Sequence, residues 1–183
     1  MGDILDSGEN RKDERKPHPL FESMRRDGVI YLVNQNCLLH GETEDIKQNA
    51  AVVLGILLRA QDIQPTIRQS IIKHLKKLII ENAGYYNVGY LLDIMCGLAV
   101  KQSNISEIVS DNFIETTVKL IEQQNEYIKS NALELLLNIA QNGGSDIEKE
   151  IKTTIGNLKF LELIGDSNFT LNEQILQVVM KCK

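Results

Sequence analysis

The chain repeats itself about every 41 residues, and that periodicity constrains its fold more than any other feature. Ile46-Lys47-Gln48-Asn49-Ala50 recurs as Ile128-Lys129-Ser130-Asn131-Ala132, two periods later. Stepping 41 from Asn49 lands on Tyr90, Asn131 and Asn172, each of which enters an apolar run: Val52 to Leu58, Leu91 to Ala99, Leu133 to Ala140 and Ile175 to Met180. A second register agrees, because Leu38, Ile79, Leu120 and Leu161 share the same step. A unit of this length cannot bury its apolar face alone, whereas stacked units share a continuous core. An up-down helix bundle would also show helical stripes, but it predicts no register at 41.

Within each unit the apolar residues follow helical spacing. Gly28, Ser70, Asn112 and Gly156 punctuate it as tight corners, and His40-Gly41-Glu42, Asn82-Ala83-Gly84, Gln124-Asn125-Glu126 and Gly165-Asp166-Ser167 as loops. Small residues and Asn suit such corners because they tolerate left-handed backbone. Each unit therefore reads as a short helix, a corner, a middle helix, a loop and a long helix, as in Ser103 to Asp111, Phe113 to Gln123 and Glu126 to Gln141. The long helices are expected to begin near Glu44, Tyr86, Glu126 and Phe169. Composition agrees. The 183 residues contain 3 prolines, none after Pro65, and only 5% aromatics with no Trp, which disfavours an aromatic-rich β-sandwich. Residues 1–18 are polar and charged and read as a disordered tail.

With 25 acidic against 20 basic residues the chain lacks the positive field that nucleic-acid binding draws on. The run from Lys73 to Lys77 is its best basic feature, but Leu75 and Leu78 make it the outer face of a middle helix, with His74 solvated there. No apolar run approaches the roughly 20 residues of a membrane span. Cys37 and Cys96 fall in apolar-periodic stretches as small hydrophobes, which implies a reducing compartment, the cytoplasm or the nucleus. The sequon at Asn104 then reads as chance. Cys37 and His40 have ligand-like spacing but too few companions for a zinc site, and no glycine pattern cradles a phosphate. The sequence therefore names no catalytic, cofactor-binding or metal-binding residue and implies no cofactor. Tyr85, Tyr86 and Tyr90 cluster where a partner could be anchored, although Tyr90 also reads as filling space beside Gly89.

Two stretches carry a family resemblance. Asp27-Gly28-Val29-Ile30-Tyr31-Leu32-Val33, followed by Glu42 to Ala51, resembles the glycine turn, apolar second helix, acidic loop and Asn-Ala third-helix start of armadillo repeats, and Ile128 to Ala140 fits equally well. Ile30 stands where the family often has Pro, and Gly89-Tyr90-Leu91 replaces the Asn-Ala pair. The resemblance implies an all-α chain, a right-handed α-solenoid of about four armadillo-like three-helix repeats over residues 19–183, with two-helix HEAT repeats as a neighbouring classification. It also implies a concave groove lined by third helices. Laid onto this sequence, the ladder that importin alpha uses falls on Val52, Asp93 and Glu134 at its Trp positions and on Ile56, Gly97 and Asn138 at its Asn positions. Only Asn138 matches, so an importin-alpha-like grip on localisation peptides is not expected.

The function expected is a non-enzymatic scaffold or adaptor that holds a protein segment in that groove. A regulatory subunit of an enzyme complex is the alternative. Asp93 and Glu134 occupy matching positions in neighbouring units, so a basic, extended segment with Lys or Arg about three residues apart is the expected ligand. Asn138 would bind its backbone, and Val52 and Ile56 would form an apolar first pocket. The apolar trio Val178-Val179-Met180 near the C-terminus is expected to fray, self-associate or pack against more protein. Neither nucleic acid nor membrane is expected as a partner.

Overall fold

A computed structural model describes residues 16–82 and 87–156. Within them the regular elements are helical: α1 Phe21–Arg26, α2 Val29–Leu32 running into a π-helical segment Val33–Leu39, α3 Glu44–Leu57, α4 Pro65–Glu81, α5 Asn87–Ala99, α6 Gln102–Val109, α7 Phe113–Ile121, α8 Glu126–Asn142 and α9 Ser145–Gly156. Two of the four expected long-helix starts, Glu44 and Glu126, are the observed ones, and α5 begins at Asn87, beside the expected Tyr86. The expected start at Phe169, the C-terminal apolar trio and nearly all of the charged tail lie outside the described residues.

Local chemistry fixes the starts. Thr43 Oγ1 accepts a hydrogen bond from the Ile46 amide at 3.3 Å, and Asn125 Oδ1 accepts from Tyr127 and Ile128 at 3.0 and 3.2 Å, so each side chain satisfies amides that the first turn leaves free. Acids in the first turns, Glu44, Asp45 and Glu126, sit at the positive end of the helix dipole. Pro65 opens α4, where its missing amide costs nothing.

The long helices α3, α5 and α8 stack in succession, with α5 against α8 the largest interface; α4 packs on α3 and α5, and α7 on α8. One core runs through all of them, from Leu38 and Leu54 through Ile71, Leu75, Leu92 and Met95 to Leu135, Leu136 and Ile151. This is the shared core that the repeat demands.

Asparagines of α8 stitch it to α5. Asn131 donates to the Gly89 carbonyl at 2.9 Å, Asn138 to Cys96 at 3.3 Å and Asn142 to Ala99 at 3.1 Å, each reaching back 42 or 43 residues. These spans are one repeat long, so the ladder joins like to like across units. Gly89 belongs to the same interface, where a Cβ would overlap the Tyr127 ring. It is Tyr127, then, that fills the space beside Gly89, while Tyr90 stays 45% exposed. Asn104 is fully buried, with its amide on the Leu98 carbonyl at 2.9 Å, which fits the reading of its sequon as chance.

Three expectations need correction. Corners do form at Gly28, with φ 75, and at Asn112, with φ 58, but Ser70 lies inside the unbroken helix α4. Serine lacks the left-handed tolerance of Gly and Asn, and Ile71 and Ile72 continue the buried stripe across it, so nothing forces the chain to turn. Second, Lys76 is not on an outer face. It is 5% exposed, and its ammonium donates to the Glu107 and Ser110 carbonyls at 3.0 and 2.7 Å, to Ser110 Oγ at 2.8 Å and to Asp111 at 3.3 Å, 5.4 Å from the Phe113 ring centre. Burial pulls its pKa below the usual lysine value against the opposing pull of Asp111 and Glu107. Third, the His74 side chain is only 13% exposed and not solvated. An amphipathic stripe shows which face is apolar, but not that a lysine on its margin will be folded over by the next repeat.

Candidate binding groove

The six groove positions fall on the three stacked helices: Val52 and Ile56 on α3, Asp93 and Gly97 on α5, Glu134 and Asn138 on α8. Ile56, Asp93 and Gly97 line one cavity of about 180 Å³ together with Gly55, Arg59, Tyr90 and Ile94. Val52 is half-buried beside it but does not line it. Glu134 and Asn138 lie deeper, at 8% and 3% exposure, with the Asn138 amide engaged by the Cys96 carbonyl.

Helix crossing explains the cavity. Gly55 lets α3 approach α5 so closely that a Cβ there would come within 2.6 Å of Ile94 Cγ2. At the end of α3 the chain turns through Ala60, at φ 54, whose amide donates to the Gly97 carbonyl at 2.9 Å. The cavity lies between α3 and α5 alongside these glycines. Its walls are apolar at Ile56 and Ile94, and its polar groups are an acid, a phenol and a guanidinium.

Those polar groups influence one another. Partial burial, and then the Asp93 carboxylate, push the Tyr90 phenol above its ordinary pKa, so it remains a neutral donor at physiological pH. Arg59 Nε is buried and makes no hydrogen bond. The His18 imidazole is held below its usual value, first by burial and then by the Arg59 charge, which places Arg59 within electrostatic reach of the first described residues.

Gly55 and Arg59 escaped the sequence reading. Their signal was present, since Arg59 follows Ile56 by three residues, nearly one helical turn, on the same face. Ile56 and Asp93 were placed by the armadillo resemblance, which does not show that the next turn supplies a cation. Tyr85 and Tyr86 lie outside the described residues.

Among the described residues no group of three or more His, Cys, Asp or Glu is arranged to hold a metal ion, and no helix is long and apolar enough to cross a membrane. Among the described residues Cys37 and Cys96 form no disulfide.

The chain is similar in fold to crystal structures of two engineered proteins. One superposes with a TM-score of 0.64 at 15% identity, matching 98% of this chain and 45% of the other. The second also gives 0.64, at 16% identity, over 94% of this chain and 69% of the other. A designed armadillo repeat protein superposes at 0.53 and 13% identity, with 99% of this chain and 96% of that one covered. The chain thus spans less than half of the first of these structures. No protein-family model matches the sequence, and no curated protein matches it. At such identities the likeness shows the fold: an all-α solenoid of armadillo-like repeats.

Proposed function

We infer that this armadillo-like solenoid is a non-enzymatic protein-binding scaffold, and that the groove over α3, α5 and α8 receives an extended segment of a partner protein in the cytoplasm or nucleus. One observation carries the reading: α3 and α5 border a cavity of about 180 Å³ lined by Ile56, Arg59, Tyr90, Asp93 and Ile94 together with Gly55 and Gly97. An apolar gap with a few convergent polar groups is how protein surfaces seat an anchoring side chain. Asp93 would face a Lys or Arg of the ligand, while the half-buried Arg59 in the same lining would offer its guanidinium to a main-chain carbonyl.

The test is affinity capture from lysate with the immobilised protein and mass-spectrometric identification, repeated with Asp93→Ala, Tyr90→Ala and, as a control on α7, Lys119→Ala. The partner should be lost with the first two and retained with the third, and its binding should weaken with salt in wild type more than in Asp93→Ala. Equal capture by wild type and both groove variants would refute the groove assignment.

A further inference from the structure

A second cavity, of about 400 Å³, lies away from the groove, where the π-helical segment, the first turn of α3 and the face of α4 meet. Its lining is unlike that of the rest of the molecule. Lys47 from α3 and Lys73 and Lys77 from α4 converge on it, against the single carboxylate of Glu44, in a chain whose net charge is −5. Glu44 shows what the site accepts, because its Oε1 lies 2.7 Å from Lys77 Nζ and 3.4 Å from His74 Nδ1. Lys47 and Lys73 form no ion pair among the described residues. The His74 ring is nearly buried, and its Nδ1, although near Glu44, makes no hydrogen bond. Ser70 adds a hydroxyl, and Leu39, 40% exposed, adds an apolar surface to the lining.

We propose that this cavity is a binding site for a phosphorylated serine or threonine side chain of a partner protein, with Lys47 and Lys73 as its principal cationic contacts. A phosphate monoester carries nearly two negative charges and three strong acceptor oxygens, which match two unpaired ammonium groups and leave Lys77 to hold Glu44. The volume exceeds what a phosphate alone would fill, so there is room for a flanking residue against Leu39. A protein source fits better than a nucleic acid, because the chain is acidic overall and these three lysines converge on one cavity and do not form a track for a polyanion backbone. The site is separate from the groove and shares no residue with it, so either can fail alone.

The experiment offers the immobilised protein an equimolar mixture of two degenerate peptide libraries, identical except for a central phosphoserine or serine, and reads the retained ratio by mass spectrometry. Wild type should enrich the phosphorylated library at least about tenfold. Lys47→Gln with Lys73→Gln should return the ratio to near one, with unchanged helical circular dichroism, while Asp93→Ala should keep the enrichment. A parallel arm uses vesicles containing phosphoinositide. Equal retention of both libraries by wild type would overturn the proposal. So would full enrichment by the double variant, or recruitment to the vesicles without phosphopeptide enrichment.

Discussion

A buried side-chain hydrogen bond contributes about 0.5–1.5 kcal/mol net, and the Asn131 amide makes one to the Gly89 carbonyl in the α5/α8 interface. Asn131→Ala should therefore destabilise the protein by that order, measured by urea denaturation, whereas an exposed asparagine such as Asn36 should change stability little. Gly89→Ala should cost about 1–3 kcal/mol through its overlap with Tyr127, and adding Tyr127→Ala should recover part of it, since the two changes share one contact. Additive losses would show that the ring does not close over Gly89. At His74, burial depresses proton affinity more than Glu44 restores it, and Lys73, Lys77 and Lys47 depress it further. Between that lowered folded-state pKa and the model-peptide value of 6.5 the unfolded chain binds more protons, so stability rises with pH and is lost on acidification through this window. His18 acts in the same direction. Thermal unfolding should fall from about pH 7.5 to about pH 5.5, and His74→Gln should flatten that dependence. An unchanged slope would place His74 in solvent.

At the scale of elements, the corners separate two kinds of repeat. Asn112 turns the chain between α6 and α7 at φ 58, and Asn112→Ala should cost about 1 kcal/mol where Asn112→Gly costs little. Ser70 lies in continuous helix, so Ser70→Ala should raise stability slightly, by roughly 0.5 kcal/mol, in the same denaturation experiment. A loss at Ser70 would argue for a corner there after all. This contrast also shows what the sequence could reveal. Gly28 and Asn112 mark corners because the backbone conformation itself selects those residues, and Thr43 and Asn125 mark helix starts because their side chains cap them. Ser70 carried no such backbone requirement, and the second unit merged its first two helices into α4. The fate of Lys76 was illegible for a different reason. Its partners, Glu107, Ser110 and Asp111, lie in the next repeat, and only stacking brings those carbonyls over the ammonium. Lys76→Ala should cost about 2–3 kcal/mol, as expected for hydrogen bonds from a charged donor within the fold.

For the whole molecule, the stack of α3, α5 and α8 makes the shared core, and a cavity opens beside α3 and α5. The armadillo resemblance, carried along the 41-residue step, placed Ile56, Asp93 and Gly97 there. It did not distinguish Asp93, which lines the cavity, from Glu134, which the packing of α8 draws down to 8% exposure. Depth depends on helix rotation within each unit, and a repeat period does not encode rotation. The most direct measurement replaces Tyr90 with the photoreactive benzoylphenylalanine, an aromatic for an aromatic at a 45% exposed position, and irradiates the protein with its captured partner. A reference site replaces Lys152, exposed on α9. Cross-linking to a partner from position 90, and none from position 152, is the result a groove-binding scaffold predicts. A cross-link from position 152 with none from position 90 would contradict it.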